Sequence, residues 1–141
     1  MEDLVSDITR GNVTEVKVVL ASVVMALACY QLLLIAVGYG KVRPAFLESR
    51  PAAFAHRALG DAIVVLVVVV ALMCLSYFGF EDDRTLHVVA AVSLIAVLSL
   101  KIVVVRWWHG LGRLLPVLGL SVFGLMALTW LTSAGDFLAD R

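Results

Sequence analysis

Four long apolar runs set the limits on what this chain can fold into. Val18 to Gly40 is 23 residues without a charge, and Leu114 to Gly135 is 22 residues without one. Ala52 to Phe80 is interrupted only near its start, by His56, Arg57 and Asp61, and Thr85 to Val105 carries only His87 and Lys101. A helix needs about 20 apolar residues to cross a bilayer core, so each run predicts one transmembrane span. Valine is abundant and would favour strand in water. In lipid, a lone run must satisfy its own backbone polar groups, and only a helix does so.

Composition agrees. Apolar residues make up 62% of the chain and charged residues 16%, against about 45–50% and 25% in soluble domains. The zero net charge gives no support for a nucleic-acid partner. The segment before the first span holds Glu2, Asp3, Asp7 and Glu15, unlike the basic start of a cleavable signal, so the first span is expected to be retained. The connections run to 11, 4 and 8 residues, which suits antiparallel neighbours. The expected fold is all-α, an up-down-up-down four-helix bundle forming a single membrane domain over 1–141.

Basic residues set the expected orientation. Lys41, Arg43 and Arg50 lie in the first connection and Arg106 and Arg113 in the third. Arg10, Lys17, Arg84 and Arg141 on the other side are diluted by acids including Glu81, Asp82, Asp83, Asp136 and Asp140. The basic connections are expected on the cytoplasmic side of the cell membrane, with both termini outside. Tyr39, Tyr77, Trp107 and Trp108 fall near the predicted interfaces, where amphipathic rings prefer to lie.

Ionisable residues inside a bilayer are costly and therefore informative. Arg57 and Asp61, four residues apart, are placed to pair with each other. Lys101 is placed to snorkel to the headgroups. Fourteen residues separate it from His87, which puts the two within about 40° of one helix face and roughly 21 Å apart along the axis. His56 falls at the cytoplasmic end of the second span, and His109 follows two tryptophans as an expected solvated interfacial residue. Cys29 and Cys74 lack any CxxC spacing and are expected to act as small buried hydrophobes.

Met25, Met73 and Met126 lie on spans one, two and four, each counted 7–9 residues in from the predicted outer end. His87 on the third span completes one soft or imidazole side chain per helix. Three readings follow. His87 with Met73 could serve as the axial pair of a b-type haem, the thioether raising the reduction potential. Thioethers with one imidazole could instead make a soft copper site for Cu(I), using Met25 and Met126 as well. Or the methionines are flexible gap-fillers of a core.

His56-Arg57-Ala58-Leu59-Gly60, Met73-Cys74-Leu75 with Phe78-Gly79-Phe80, His87, Lys101-Ile102-Val103-Val104-Val105-Arg106, Leu115-Pro116-Val117-Leu118-Gly119 and Leu128-Thr129-Trp130-Leu131-Thr132-Ser133-Ala134 occur in this order. Together, over about residues 15 to 137, they resemble a family of small four-helix bacterial membrane proteins of unknown function. In that family the position of Met73 is often histidine. The resulting pair with His87 resembles the bis-histidine haem sites of cytochrome b561-like and ferric-reductase-like proteins. Asp61 stands where the family pattern is basic.

The resemblance implies a small b-type cytochrome with haem b, which carries electrons within or across the membrane between a quinone or another redox protein and an acceptor. His87 and Met73 are then the axial candidates. His56 is a candidate for contact with a quinone or a propionate, and Lys101 for neutralising a propionate. A cofactor-free accessory or assembly subunit of a membrane complex, or a homo-oligomer, is the alternative, and Cu(I) handling is the third. No nucleophile stands beside a base and neither a phosphate loop nor HExxH occurs, which argues against a hydrolase or kinase.

Overall fold

A computed structural model of the protein describes residues 12–39, 49–77 and 85–139. All regular elements among them are helical. Helix α1 is Val13–Gly38, α2 is Ser49–Tyr77 and α3 is Thr85–Arg106. The last stretch is composite: a 3-10 segment His109–Leu114, helix α4 Leu115–Trp130, a π turn Leu131–Gly135 and a short helix α5 Asp136–Ala139. The protein is all-α, with four helical stretches long and apolar enough to cross a membrane. With 26, 29 and 22 residues, α1 to α3 are about 39, 44 and 33 Å long at 1.5 Å per residue, enough for a hydrocarbon core of about 30 Å.

Helix ends differ from hydropathy ends for a physical reason. Helix α1 begins at Val13, not Val18, because backbone bonding continues through Glu15 and Lys17 into the interfacial region, where charges are tolerated. Helix α2 begins at Ser49 and carries Pro51 in its first turn, where a missing N–H costs nothing because it has no intrahelical partner. Pro116 occupies the same kind of place at the start of α4. Of the residues that carry the orientation signal, Arg10, Lys41, Arg43, Glu81, Asp82, Asp83, Arg84, Asp140 and Arg141 lie outside the described residues.

The chain divides into two compact units, residues 1–77 and 78–141. In the first, α1 and α2 form an antiparallel hairpin. Leu34 and Val37 cluster with Ala52, flanked by Ala55 and Leu59, while Gln31 Nε2 donates to the His56 carbonyl at 2.8 Å. Positions rise along α2 as they fall along α1. The buried residues Lys17, Val24, Ala28, Gln31, Leu34 and Val37 recur at intervals of three, four and seven, the spacing of one helical seam. Small residues let helices approach closely where lipid removes any hydrophobic drive for association. Here Ala28 and Ala52 are buried, and a Cβ on Gly60 would stand 3.6 Å from Gln31 Nε2.

Leu34 is fully buried, so Leu34→Ala opens a cavity in this seam. The expected loss is about 2 kcal/mol, the low end of the usual range, because contacts are lost while the water-transfer contribution is absent in lipid. Reversible unfolding in bicelles by steric trapping measures it. Val19→Ala, at a position 61% exposed, serves as the neutral control; equal losses at both positions would refute the seam.

In the second unit α3 runs antiparallel to the composite helix. The chain reverses at Trp107 and Trp108, whose amides both donate to the Val103 carbonyl, at 2.8 and 3.2 Å, and Leu111 N then donates to Trp108 O at 2.9 Å. Ala90, Leu94, Leu98 and Val104 are the buried positions of α3, and Val122, Met126 and Ala134 those opposite. Trp107, Trp108 and Tyr39 are exposed at helix ends. Val19, Val65, Val89 and Leu120 are each more than half exposed, the inverse of a soluble fold and the surface a lipid bilayer matches.

Candidate functional site

His87 is the third residue of α3, and its Nδ1 lies 3.0 Å from Thr132 Oγ1. Thr132 belongs to the π turn Leu131–Gly135. A π turn inserts one residue into the helical ladder and shifts its hydrogen bonds by one step, so nearby carbonyls need other donors. Three hydroxyls meet that need. Thr129 Oγ1 donates to Met126 O at 2.9 Å, Thr132 Oγ1 to Leu128 O at 2.9 Å with Thr129 O at 3.3 Å, and Ser133 Oγ to Thr129 O at 2.9 Å. Such back-bonding by Ser and Thr bends helices in water; in lipid it helps to re-satisfy a disturbed backbone. The predicted span over 114–135 contains no such irregularity. Its one signal in the sequence is the cluster Thr129, Thr132 and Ser133 ahead of Gly135.

The hydroxyl geometry decides a proton. A threonine hydroxyl carries one hydrogen, and a carbonyl oxygen only accepts. At 2.9 Å from Leu128 O the hydrogen of Thr132 must lie on that contact, or two acceptors would face each other. Thr132 therefore offers a lone pair to His87, and Nδ1–H donates. Neutral His87 then holds its ring lone pair on Nε2, the arrangement in which the tautomer is set by the bond made at the other nitrogen. This assignment follows from counting donors and acceptors.

The other candidates are distributed along the two hairpins. Lys101 is half-buried on α3, fourteen residues from His87 and so about 21 Å further along the axis, with the buried Ala90, Leu94 and Leu98 on the seam between. It belongs to the opposite end of the hairpin and is not part of the His87 site. Met126 is 4% exposed and six residues nearer the middle of the span than Thr132, about 9 Å deeper than His87. Met73 is 8% exposed on α2 and Met25 half-buried on α1. With Gln31 level with His56 to Gly60, Met25 is level with residues near 62–66, which leaves Met73 about 10–16 Å further along the hairpin. The two thioethers of this unit do not share a layer.

His56 is half-buried, and its carbonyl takes the Gln31 bond. Arg57 and Asp61 are both exposed. The side chain of His109 lies outside the described residues. Cys29 is exposed and Cys74 half-buried, and neither forms a disulfide; burial was expected of Cys29, but in lipid an outward-facing thiol meets an apolar medium all the same. Among the described residues, no three His, Cys, Asp or Glu side chains converge to hold a metal ion. Sequence reasoning gave Gln31 no role and Thr132 only a place in the run Leu128 to Ala134, because the part an uncharged polar side chain plays depends on which partner it meets.

Fold and composition together define a multi-pass helical membrane protein with a histidine held at the start of one span. The chain belongs to DUF6529, a family of unknown function, whose model matches residues 5–141. No curated protein and no solved structure matches it, cytochrome b561-like and ferric-reductase-like proteins included.

Proposed function

We propose that this protein is a small b-type cytochrome of the cell membrane in which His87 holds one axial place on a haem iron. The observation that supports this most is the hydrogen bond to Thr132. Counting donors and acceptors assigns the proton to Nδ1 and the ring lone pair to Nε2, the arrangement in which ligating histidines are usually held. That donor chemistry fits haem iron. Bound haem supplies one-electron transfer. The chain's part is to orient the imidazole through the bond to Thr132. Met73, buried on α2, is the proposed thioether ligand; haem held by one thioether and one imidazole would have a higher potential than haem held by two imidazoles. A quinone or another redox protein is the proposed electron partner, with His56 the candidate contact in the first hairpin. Lys101, at the far end of α3, is assigned to headgroup phosphates.

A reduced-minus-oxidised spectrum of the detergent-purified protein, expressed with ample haem, tests this reading. Bands of a b-type haem are expected. A colourless protein would overturn it in favour of a cofactor-free accessory or assembly subunit. Cu(I) binding weakened by each of Met25→Leu, Met73→Leu and Met126→Leu, with no haem bands, would overturn it in favour of copper.

The proposed orientation has both termini outside. With Cys29 and Cys74 replaced, cysteines at Lys41 and Arg113 should react only with membrane-permeant thiol reagents, and one at Asp82 with impermeant reagents added outside. The reverse pattern would invert the topology.

A further inference from the structure

In the hairpin of α1 and α2, Gln31 presents a half-satisfied amide. Its side chain is 9% exposed. Nε2 donates to the His56 carbonyl at 2.8 Å, while Oε1 is buried and accepts no hydrogen bond. The opposite placement of the amide would set Oε1 against a carbonyl oxygen, so the hydrogen bond fixes which atom is the orphan. Gln31 lies seven residues before Gly38, about 10 Å from that end of α1, deep enough that lipid offers no donor. A buried acceptor left unsatisfied costs about 1–3 kcal/mol, and a lipid surround gives no relief. Interhelical adhesion explains Nε2 and leaves Oε1 unexplained. The residue opposite is Gly60, which contributes no side chain: a Cβ there would meet only Gln31 Nε2.

We propose that Gln31 Oε1 is the acceptor of a small O–H donor bound between α1 and α2, either the hydroxyl of a membrane-soluble hydroquinone or a resident water in the same place. The hydroquinone arm rests on the quinone contact proposed above at His56 in the same hairpin, and neither arm depends on haem. Both sources share one chemistry, a neutral hydroxyl hydrogen directed at an amide carbonyl in an apolar surround.

The test uses full-length protein in nanodiscs with 15N-labelled glutamine, a short-chain benzohydroquinone and its O,O-dimethyl ether. If hydroquinone is the donor, it shifts the Gln31 side-chain amide resonances, and the dimethyl ether binds at least tenfold more weakly. Gln31→Met, which keeps the side-chain length without the carbonyl, then weakens hydroquinone binding to the same degree. If water is the donor, hydroquinone causes no shift and the Gln31 amide shows cross-peaks to a slowly exchanging water. Either result supports the site. The inference is overturned if the wild-type protein shows neither a hydroxyl-dependent shift nor a water cross-peak. The comparison of hydroquinone with its ether needs no variant, so a failure of Gln31→Met to fold leaves the outcome readable. Haem spectra recorded on the same samples keep the two readings separate.

Discussion

If the protein carries the proposed haem, His87→Ala should remove the b-type bands altogether, while His109→Ala should keep them. This is the largest effect expected of any single substitution here, because the proposed iron would lose a nitrogen ligand that no described side chain of the second hairpin is placed to replace. Among the described residues of that hairpin, the side chains nearest in level to His87 are hydroxyls and apolar groups, and Met126 lies about 9 Å deeper. On the same reading, Met73→His should keep the haem and lower its potential, since imidazole would replace thioether. Full retention of the bands in His87→Ala would sink the assignment of the site, whatever cofactor the protein carries. Loss of the bands in Met73→Leu, with recovery in Met73→His, would establish the second axial place.

If His87 ligates haem as proposed, Thr132→Val should weaken haem binding by about 10–100-fold, the usual cost of removing a partner that orients a ligating histidine, and Thr132→Ser should restore it. Valine matches threonine in shape and cannot accept the Nδ1–H bond, so the substitution separates hydrogen bonding from packing. A structural defect alone would also weaken haem, and a second readout distinguishes the two. In cofactor-free protein the 15N shifts of His87 should report a protonated Nδ1 in the wild type, and a mixture containing the Nε2–H tautomer in Thr132→Val. Unchanged tautomer populations would mean that Thr132 does not set the proton, even if haem affinity falls. The same substitution removes the hydroxyl that donates to the Leu128 carbonyl, so relaxation of the π turn towards regular helix is expected with it.

The residues singled out from the sequence were those whose presence in a bilayer is expensive: His56, His87, Lys101 and the arginines. Cost in lipid is a property of one side chain, so a single sequence reveals it. The His87–Thr132 bond is a property of two residues 45 positions apart, on helices whose relative rotation is set by packing. Hydropathy marks where a helix lies in the membrane and leaves its rotation open. The same limit applies to depth. Counting in from the ends of apolar runs placed Met25 and Met73 together, but α1 starts at Val13 and α2 ends at Tyr77. The hairpin register, anchored by Gln31 on His56, then separates them.

By itself the sequence determined that this protein is helical and crosses a membrane, because four runs of such length and apolarity leave the backbone no other way to satisfy its polar groups in lipid. It also determined that His87 and Lys101 lie near one face of one helix, since that depends only on helical geometry within a continuous segment. The tertiary structure alone decided which atoms meet. The π turn arises where three hydroxyls are available to complete a disturbed backbone ladder, and it is this turn that carries Thr132 to His87. The pairing of α1 with α2, close at Ala28, Ala52 and Gly60, brings the Gln31 amide onto the His56 carbonyl and leaves its oxygen in need of a donor. Both outcomes depend on how two helices are rotated and slid against each other, a balance of contacts between distant residues that hydropathy does not encode.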